Sequence, residues 1–359
     1  MKAVVRRQRR LVLDEGFPEP VPGTGQVLAR SLACGICGSD LHGLEHLEEL
    51  AALAQRCGSA TTLDGDKDVV FGHEFCAEVI EAGPGSSGRI RPGTRVVAMP
   101  FCAGPGGMEL VGFSNRFPGA FAERLLLTEA LLLPVPEHLS DILACLTEPF
   151  AVGEHAVATA RLDGDAVVLV LGCGPIGLAT VAAAKLRGIG PVVACDFSPA
   201  RRQLAETIGA DIVIDPAVDS PYGRWETFDV PATLASRSVA LATGRMTRPA
   251  TIFECVGKPG MLQAVIDGAP PGSRIVVVGA CMQSDAIEPL MAINKQLSFD
   301  FVFAYSPEEF AATLANIAGG RIKAGPLVTK VVGLAAVADA FALASRADEH
   351  AKIVVDPRL

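Results

Sequence analysis

The chain changes its hydrophobic pattern twice along its length. From residue 1 to about 149, short apolar runs rich in Val and Leu are broken repeatedly by Gly and Pro. Such punctuation is typical of many short strands in a barrel-like or sandwich arrangement. The clearest of these predicted strands are Val27–Ala33, Phe75–Ile80, Arg95–Met99 and Phe121–Leu127.

Between about 150 and 302 the pattern alternates, and each apolar run is followed by a helix-length stretch rich in Ala and Leu. This alternation predicts parallel strands joined by crossover helices. A last zone, 303–359, combines a predicted helix around Pro307–Ala318 with short terminal strands. The whole pattern predicts an α/β chain with a doubly wound parallel sheet and a second, mainly β domain. The candidate strands of the parallel sheet are Val167–Leu171, Val192–Cys195, Ile212–Ile214, Thr251–Cys255 and Arg274–Val278.

The composition fits a globular protein of about two domains. Of its 359 residues 50% are apolar and 20% are charged, and the formal net charge is −9. Nucleic acid is not an expected partner, because an acidic chain is poorly suited to neutralise phosphates. Ala166–Ala184 lacks charge, but its glycines and its change from strand-like to helix-like composition argue against a membrane span. Without a recognisable signal peptide, we expect a cytoplasmic protein with reduced thiols.

A glycine-rich turn follows the first strand of the alternating zone. In such a turn, glycines permit a tight bend, close approach of the backbone to a pyrophosphate, and close packing of helix on strand. Asp196 ends the next strand, where a carboxylate accepts hydrogen bonds from a ribose diol and repels a 2′-phosphate. The turn therefore predicts NAD binding, with a plain turn of a doubly wound sheet as the alternative. Its residues are Gly172, Cys173, Gly174, Pro175, Ile176 and Gly177.

Two cations lie close to this acid in the sequence. Arg201 and Arg202 follow Asp196 within six residues and are able to offset part of its repulsion of a phosphate. Arg201 is therefore a candidate cofactor-binding residue. In the alternative, both arginines are solvated residues at the start of a helix. Asp196 alone then determines the preference for NAD over NADP.

Three short segments carry side chains that bind metals. They are C-G-S-D-L-H from Cys37, G-H-E from Gly72 and T-E-P from Thr147. A catalytic zinc needs three protein ligands of thiolate, imidazole or carboxylate type and an open position. A neighbouring acid such as Asp40 is able to orient a ligating imidazole. On spacing alone these residues indicate either a metal site or ordinary buried Cys and His residues.

Together the motifs resemble those of the zinc-dependent medium-chain dehydrogenases, the family of alcohol, sorbitol and threonine dehydrogenases. The resemblance rests on C-G-I-C-G-S-D-L-H from Cys34, the G-H-E segment, T-E-P-F-A-V-G, the glycine-rich turn and A-K-I-V-V-D-P near the C-terminus. It implies a GroES-like catalytic domain formed by 1–149 and 303–359. A Rossmann NAD-binding domain at 150–302 interrupts it.

The resemblance also implies which residues act. Zinc is expected on Cys37, His73 and a carboxylate, either Glu74 or Glu148. A relay is expected in which Ser39 takes the proton of the substrate alcohol, His42 passes it towards solvent, and Asp40 orients His73. Lys352 is expected to approach the cofactor pyrophosphate. The positions expected to line the nicotinamide are Val256, Val278, Gly279, Ala280 and Phe303.

Some features depart from the family pattern or stay open. Many members hold a second, structural zinc with four closely spaced cysteines, but the corresponding region, Pro100–Gly119, offers only Cys102. One zinc per chain is therefore expected. Leu44–Arg56 predicts a helix that either shapes substrate access or is an inert surface helix. For Ser39, capping of a helix that begins near Asp40 is the alternative to a catalytic role.

The expected function is hydride transfer between a secondary alcohol or polyol and NAD. The expected partners are a small alcohol or ketone and further copies of the chain, as a homodimer or homotetramer. Two other readings are kept: a zinc-free quinone or enone reductase of the same fold, and a non-catalytic NAD-binding protein. The motifs leave the identity of the alcohol open.

Overall fold

The computed structural model describes residues 1–59, 61, 63–162, 164–346 and 349–359. The chain divides into two compact units. The first consists of Met1–Glu148, Phe310–Gly320 and Leu327–Leu359, and the second of Pro149–Glu309 and Arg321–Pro326. The expected division at 302/303 differs from this one, because residues 303–309 directly follow the last strand of the second unit and group with it.

The elements of the described chain follow in sequence order. The strands are β1 (Ala3–Arg7), β2 (Arg10–Asp14), β3 (Gln26–Gly35), β4 (Glu74–Ala82), β5 (Arg95–Ala98), β6 (Phe101–Gly104), β7 (Gly107–Leu110), β8 (Arg124–Thr128), β9 (Leu132–Pro134), β10 (Val167–Leu171), β11 (Val192–Cys195), β12 (Ile212–Ile214), β13 (Ala250–Glu254), β14 (Arg274–Val277), β15 (Ser298–Phe301), β16 (Val328–Val332) and β17 (Lys352–Val355). The helices are α1 (Gly38–Arg56), α2 (Asp141–Ala144), α3 (Thr147–Ala160), α4 (Pro175–Leu186), α5 (Pro199–Ile208), α6 (Leu234–Thr243), α7 (Met261–Gly268), α8 (Pro289–Lys295), α9 (Pro307–Ala318) and α10 (Val337–Ala344). Among the described residues, no helix combines the length and apolar character that a membrane crossing needs.

The second unit contains a six-stranded parallel sheet with the strand order β12-β11-β10-β13-β14-β15. This is the order of a Rossmann sheet, in which the direction of winding reverses between the first and fourth strands. Here that reversal lies between β10 and β13, whose last residues, Leu171 and Glu254, are paired. The predicted doubly wound sheet is confirmed, and the reversal marks the edge where such sheets bind their ligands.

The first unit is mainly β. Its largest sheet has the order β16-β17-β3-β4-β5-β9, and β8 pairs with β3 as well. The long strand β3 lies antiparallel to both β4 and β17, so segments from the start and the end of the sequence meet on it. Apolar residues from these strands and the adjoining loops form one buried core, with Phe71, Phe75 and Phe121 among its largest members.

Helix α1 is longer than the sequence predicts, because it begins at Gly38 instead of Leu44. It is kinked at His46, and its buried face packs on the core of the first unit. Gly43 fits there because a Cβ at this position would lie 2.9 Å from the ring of Phe113. The guanidinium of Arg6, almost fully buried, donates to the carbonyl of Leu44 at 3.4 Å and to Glu48 at 3.0 Å. One face of the helix is therefore tied to the core of the first unit.

Candidate active site

The N-terminus of α1 positions a thiol and a carboxylate. Cys37 is the N-cap residue, and its backbone N–H donates to Asp40 Oδ2 at 2.9 Å. This bond closes the first turn and holds Asp40 with no exposed surface. Ser39 lies inside the helix, so the alternative in which it caps a helix beginning near Asp40 is wrong.

The imidazole of His73 lies against these groups. Its Nδ1 is 3.3 Å from Asp40 Oδ1, and its Nε2 is 3.4 Å from the Oγ of Ser39. Asp40 Oδ1 and His73 Nδ1 are both buried and make no well-aligned hydrogen bond. Burial alone would lower the pKa of His73, but the charges of Asp40 and Cys37 outweigh it and hold that pKa well above its ordinary value.

A carboxylate completes the group. Glu74 begins β4 with no exposed surface, and one ligand atom each from Cys37, His73 and Glu74 lie within 4.8 Å of one another. In a tetrahedral zinc site, ligand atoms about 2.0–2.3 Å from the metal lie roughly 3.5 Å apart. Glu148, in the first turn of α3, is buried but lies outside this group. Of the two carboxylates left open by the sequence, the structure brings Glu74 to the thiol and the imidazole.

Lys352 lies elsewhere than expected. Its ammonium, almost fully buried, donates to both carboxylate oxygens of Glu74 at 2.7 Å and to the carbonyl of Ile36 at 3.0 Å. Burial alone would lower the pKa of Lys352, but the charges of Glu74 and Cys37 outweigh it and raise that pKa. The expected contact with a pyrophosphate is corrected, because all three ammonium protons have partners inside the first unit.

The geometry of the glycine-rich turn in the second unit requires two of its glycines. Gly172 has a φ of +86°, which favours glycine. A Cβ on Gly177 would lie 1.8 Å from the carbonyl oxygen of Gly172, so helix α4 packs closely on β10 only without a side chain there. Gly174 is the N-cap of α4, where a Cβ would lie 3.8 Å from Nη1 of Arg201, and Pro175 begins the helix, with Ile176 next in its first turn. The N-terminus of α4 thus lies at a turn of small residues beside a guanidinium, an arrangement that suits an anion.

Asp196 follows β11 and faces this turn. Its two carboxylate oxygens accept the backbone N–H groups of Cys173 and Ser198, each at 2.8 Å. Arg201 Nη1 lies 4.0 Å from Asp196, and its buried Nε has no hydrogen-bond partner among the described residues. Arg202 is instead held by two backbone carbonyls at 2.8 Å and by Asp215 at 2.9 Å. Of the two arginines, only Arg201 keeps donors directed towards the turn.

The residues expected to line the nicotinamide lie mostly at the C-terminal ends of β13 and β14. The backbone N–H groups of Val278 and Gly279 both donate to the carbonyl of Glu254, and the side chain of Val256 lies close to Gly172. Ala280 packs against the loop after β13 at Gly257. Phe303, beyond β15, is 82% exposed. The structure thus places the first four positions in the loops that follow β13 and β14, with Val256 beside the glycine-rich turn, and leaves Phe303 exposed.

Comparisons with known proteins match both units. Residues 23–137 match the family model described as "Alcohol dehydrogenase GroES-like domain", and residues 175–319 match the one described as "Zinc-binding dehydrogenase". The chain is 32% identical to (R,R)-butanediol dehydrogenase of Bacillus subtilis, over 99% of this chain and 100% of that protein. This chain belongs to the zinc-dependent medium-chain dehydrogenase family.

Two further relatives support the same family. Sorbitol dehydrogenase of Homo sapiens is 29% identical over 91% of this chain and 88% of that protein. The crystal structure of 2R,3R-butanediol dehydrogenase from Bacillus subtilis aligns with a TM-score of 0.77 and 28% identity over 99% of both chains. The medium-chain dehydrogenase described here is therefore an oxidoreductase of the alcohol and polyol dehydrogenase type, with a GroES-like and a Rossmann domain.

The first unit of this dehydrogenase fits the zinc that its family implies. A thiol, an imidazole and a carboxylate converge, and buried polar atoms of Asp40 and His73 lack aligned partners. This donor set suits zinc. Among the described residues it is the only such group of three, and Cys102 is buried away from it.

Sequence reasoning missed the surroundings of Glu74. Gly35 and Ile36 provide the space and the carbonyl that Lys352 and Glu74 need, and the ring of Phe113 lies 5.6 Å from that of His73. The available signal was a lysine at the start of an apolar terminal strand, because a buried ammonium needs an anionic partner. The identity of that partner, 278 residues away, has no sequence signal of its own.

Proposed function

We propose that this dehydrogenase oxidises secondary alcohols, with vicinal diols and polyols as its substrate class and NAD as its cofactor. The observation that carries the proposal is the convergence of Cys37, His73 and Glu74 beside the hydroxyl of Ser39. The substrate class is supported by relatives named butanediol dehydrogenase and sorbitol dehydrogenase, which match nearly the whole chain. With ten free cysteines, the chain suits the reducing cytoplasm.

Cys37, His73 and Glu74 are the residues that would hold the zinc. When bound, zinc supplies a Lewis acid for the substrate oxygen, and NAD supplies the hydride acceptor. Ser39 Oγ, on the Nε2 side of His73, accepts the proton of the substrate hydroxyl. His42 lies three residues further along α1, on the same helix face, and passes the proton to water.

Asp40 supports this arrangement without touching the substrate. Its Oδ2 fixes the backbone of Cys37, and its Oδ1 faces His73 Nδ1. A carboxylate in this place keeps Nδ1 of His73 protonated and leaves Nε2 able to bind the metal. Asp40 is therefore a positioning residue for both the thiolate and the imidazole.

The test is a screen of the purified protein with NAD and a panel of secondary alcohols, vicinal diols and polyols, in which the absorbance of NADH measures turnover. We expect turnover with at least one diol or polyol, and its loss in His73→Ala but not in the matched control His138→Ala, an exposed histidine. Absence of turnover across the panel, with zinc and NAD both bound, would contradict the proposal and favour a non-catalytic NAD-binding protein.

We also propose that the protein is a homo-oligomer built on a dimer. β15 is an edge strand of the six-stranded sheet, and in the described chain no other strand pairs with its outer side. Large apolar side chains on and beside it are exposed: Phe301 at 70%, and Leu290 and Ile293 of α8 at 69% and 68%. An exposed apolar edge of this kind suits pairing with its copy across a two-fold axis.

Sedimentation analysis tests the dimer. We expect Phe301→Glu to shift the protein to a monomer, and Val218→Glu, an exposed residue in the turn that follows the opposite edge strand β12, to leave the mass unchanged. A wild-type protein that sediments as a monomer at micromolar concentration would contradict this arrangement.

A further inference from the structure

We infer that Lys352 is a positioning residue of the zinc site, whose ammonium holds Glu74 and offsets its charge. This inference rests on the proposed metal site. The side chains of Lys352 and Glu74 are 1% and 0% exposed, and the Lys352 nitrogen is 2.7 Å from both carboxylate oxygens. The carbonyl of Ile36, one residue before Cys37, accepts the third bond.

The sheet is built around this ion pair. In the strand register, Gly35 of β3 pairs with Glu74 on one side and with Val354 of β17 on the other. A Cβ on Gly35 would lie 2.0 Å from Glu74 Oε2 and 3.3 Å from Lys352 Cδ. The carboxylate of Glu74 and the stem of Lys352 occupy the space that a side chain at position 35 would fill. The ion pair therefore depends on the packing of all three strands, β3, β4 and β17.

The pairing leaves Glu74 able to act as a ligand. Each carboxylate oxygen has two acceptor sites, and Lys352 uses one on each. Glu74 therefore meets a metal while still held by the ammonium, and the two side chains together add no net charge. The ligand set then carries one negative charge less than Cys37 and Glu74 would supply alone. A cation next to the site weakens the binding of a dication and leaves that dication more electron-withdrawing.

Zinc affinity, measured by competition with a chromophoric chelator, tests this charge effect. We expect Lys352→Met to bind zinc at least about tenfold more tightly than the wild type, because a charge that repels a dication has been removed. The control Lys352→Arg keeps the charge and should stay close to the wild type. The kcat of Lys352→Met should fall while the Kd for NAD is unchanged, since all three hydrogen bonds of the Lys352 ammonium are made within the first unit.

A second pair of variants protects the test against misfolding. Lys352→Met leaves Glu74 buried without a counter-charge, which destabilises a fold. In Glu74→Gln the unpaired ammonium faces the metal, so zinc binding should weaken strongly. The double variant Glu74→Gln/Lys352→Met contains no buried charge of this pair, and it should bind zinc at least about tenfold more tightly than Glu74→Gln alone.

Three results would overturn the inference. The first is a double variant that binds zinc no better than Glu74→Gln, which would make the lysine merely structural. The second is a Lys352→Met protein with wild-type zinc affinity but a raised Kd for NAD, which would restore the pyrophosphate contact. The third is a wild-type protein that binds no zinc, which would remove the proposed function as well. The first two leave that function intact.

Discussion

At the N-terminus of α1, the two oxygens of one carboxylate hold two different neighbours. Asp40 Oδ2 accepts the N–H of Cys37, and Oδ1 faces the imidazole of His73. The first turn of the helix and the orientation of the imidazole thus depend on the same side chain. Ser39 lies between these groups without a capping role, so its hydroxyl is available for chemistry.

Replacement of Ser39 by Ala should lower kcat by roughly 10²–10⁴-fold, the usual contribution of a general base. Zinc content and the Kd for NAD should be unchanged, because Ser39 belongs to neither ligand set. The melting temperature should also be unchanged, since Cys37 and Asp40 cap the helix. Ser39→Thr, which keeps a hydroxyl, serves as the control. Normal turnover in Ser39→Ala would exclude the relay.

The pH dependence of turnover should follow His42. Partial burial and the neighbouring charge of His46 lower the pKa of His42 below its ordinary value. Its neutral form, the one that accepts a proton, therefore persists at neutral pH, and kcat should fall only as the pH drops through this lowered pKa. His42→Ala should lose most activity between that pKa and neutral pH, and little below it, where the wild type is protonated too.

A second variant tests whether the fall of kcat at low pH, the acid limb of the profile, is caused by protonation of His42. His46→Ala removes the neighbouring charge, so the pKa of His42 should rise and the acid limb of the kcat profile should move to higher pH. A profile that is identical in the wild type, His42→Ala and His46→Ala would assign the limb to another group.

At the scale of elements, the apolar runs predicted the sheet of the second unit well. β10, β11 and β12 have the predicted bounds, β13 is shifted by one residue at both ends, and β14 ends one residue earlier than predicted. Buried parallel strands read as continuous apolar runs, which is why they are visible in a sequence. β15 was not predicted, because Ser298–Phe301 contains an Asp and stands at an exposed edge.

Other elements depend on contacts that the local sequence does not contain. The start of α1 at Gly38 was missed because G-S-D-L-H-G lacks apolar periodicity, and the turn is closed by Asp40 bonding to Cys37. No element is predicted between Ile214 and Thr251, yet this stretch contains α6, which Thr233 caps. The predicted helix Pro307–Ala318 is present as α9, where the apolar period is regular.

The loop after β11 should decide the choice of cofactor. Asp196 has its oxygens fixed by two backbone N–H groups, so its charge stays in place beside the turn. We expect kcat/KM with NAD to exceed that with NADP, because the carboxylate accepts from a ribose diol and repels a phosphate. Asp196→Ala should lower kcat/KM with NAD by about tenfold, the worth of one charge-assisted hydrogen bond, and narrow the preference.

The control for this prediction is Arg202→Ala, since the bonds of Arg202 to Asp215 and to backbone carbonyls keep it from a phosphate. The preference of Arg202→Ala for NAD over NADP should match that of the wild type. Equal kcat/KM values with NAD and NADP in the wild type would contradict the role of Asp196 and assign a phosphate contact to Arg201.

For the whole molecule, the expected metal content is about one zinc per chain. Within the described residues a single group of three ligand types converges, and the β6–β7 hairpin, in the region where the sequence resemblance implies a structural zinc for many members, contributes only Cys102. Elemental analysis of purified protein measures this content. A value near two, of which Cys37→Ala loses half, would indicate a second site.

Removal of that zinc should abolish activity and leave the fold. Without zinc, the charge of Glu74 is still paired with that of Lys352. The core of the first unit is apolar and does not depend on the metal. Far-UV circular dichroism before and after chelation checks this, with readdition of zinc as the control. Cooperative unfolding upon chelation would show that the metal is structural.

The antiparallel pairing of β3 with β17 also dictates when the site is completed during protein synthesis. Cys37, His73 and Glu74 leave the ribosome early, whereas Lys352 is translated only after the entire Rossmann domain. Until β17 docks, the end of β3 at Cys34 and Gly35 lacks one of its two neighbouring strands, and the buried carboxylate of Glu74 lacks its cation. Such long-range closure is slow and comes late in folding. In a nascent chain, the three ligand residues are therefore present before the cation that offsets the charge of Glu74.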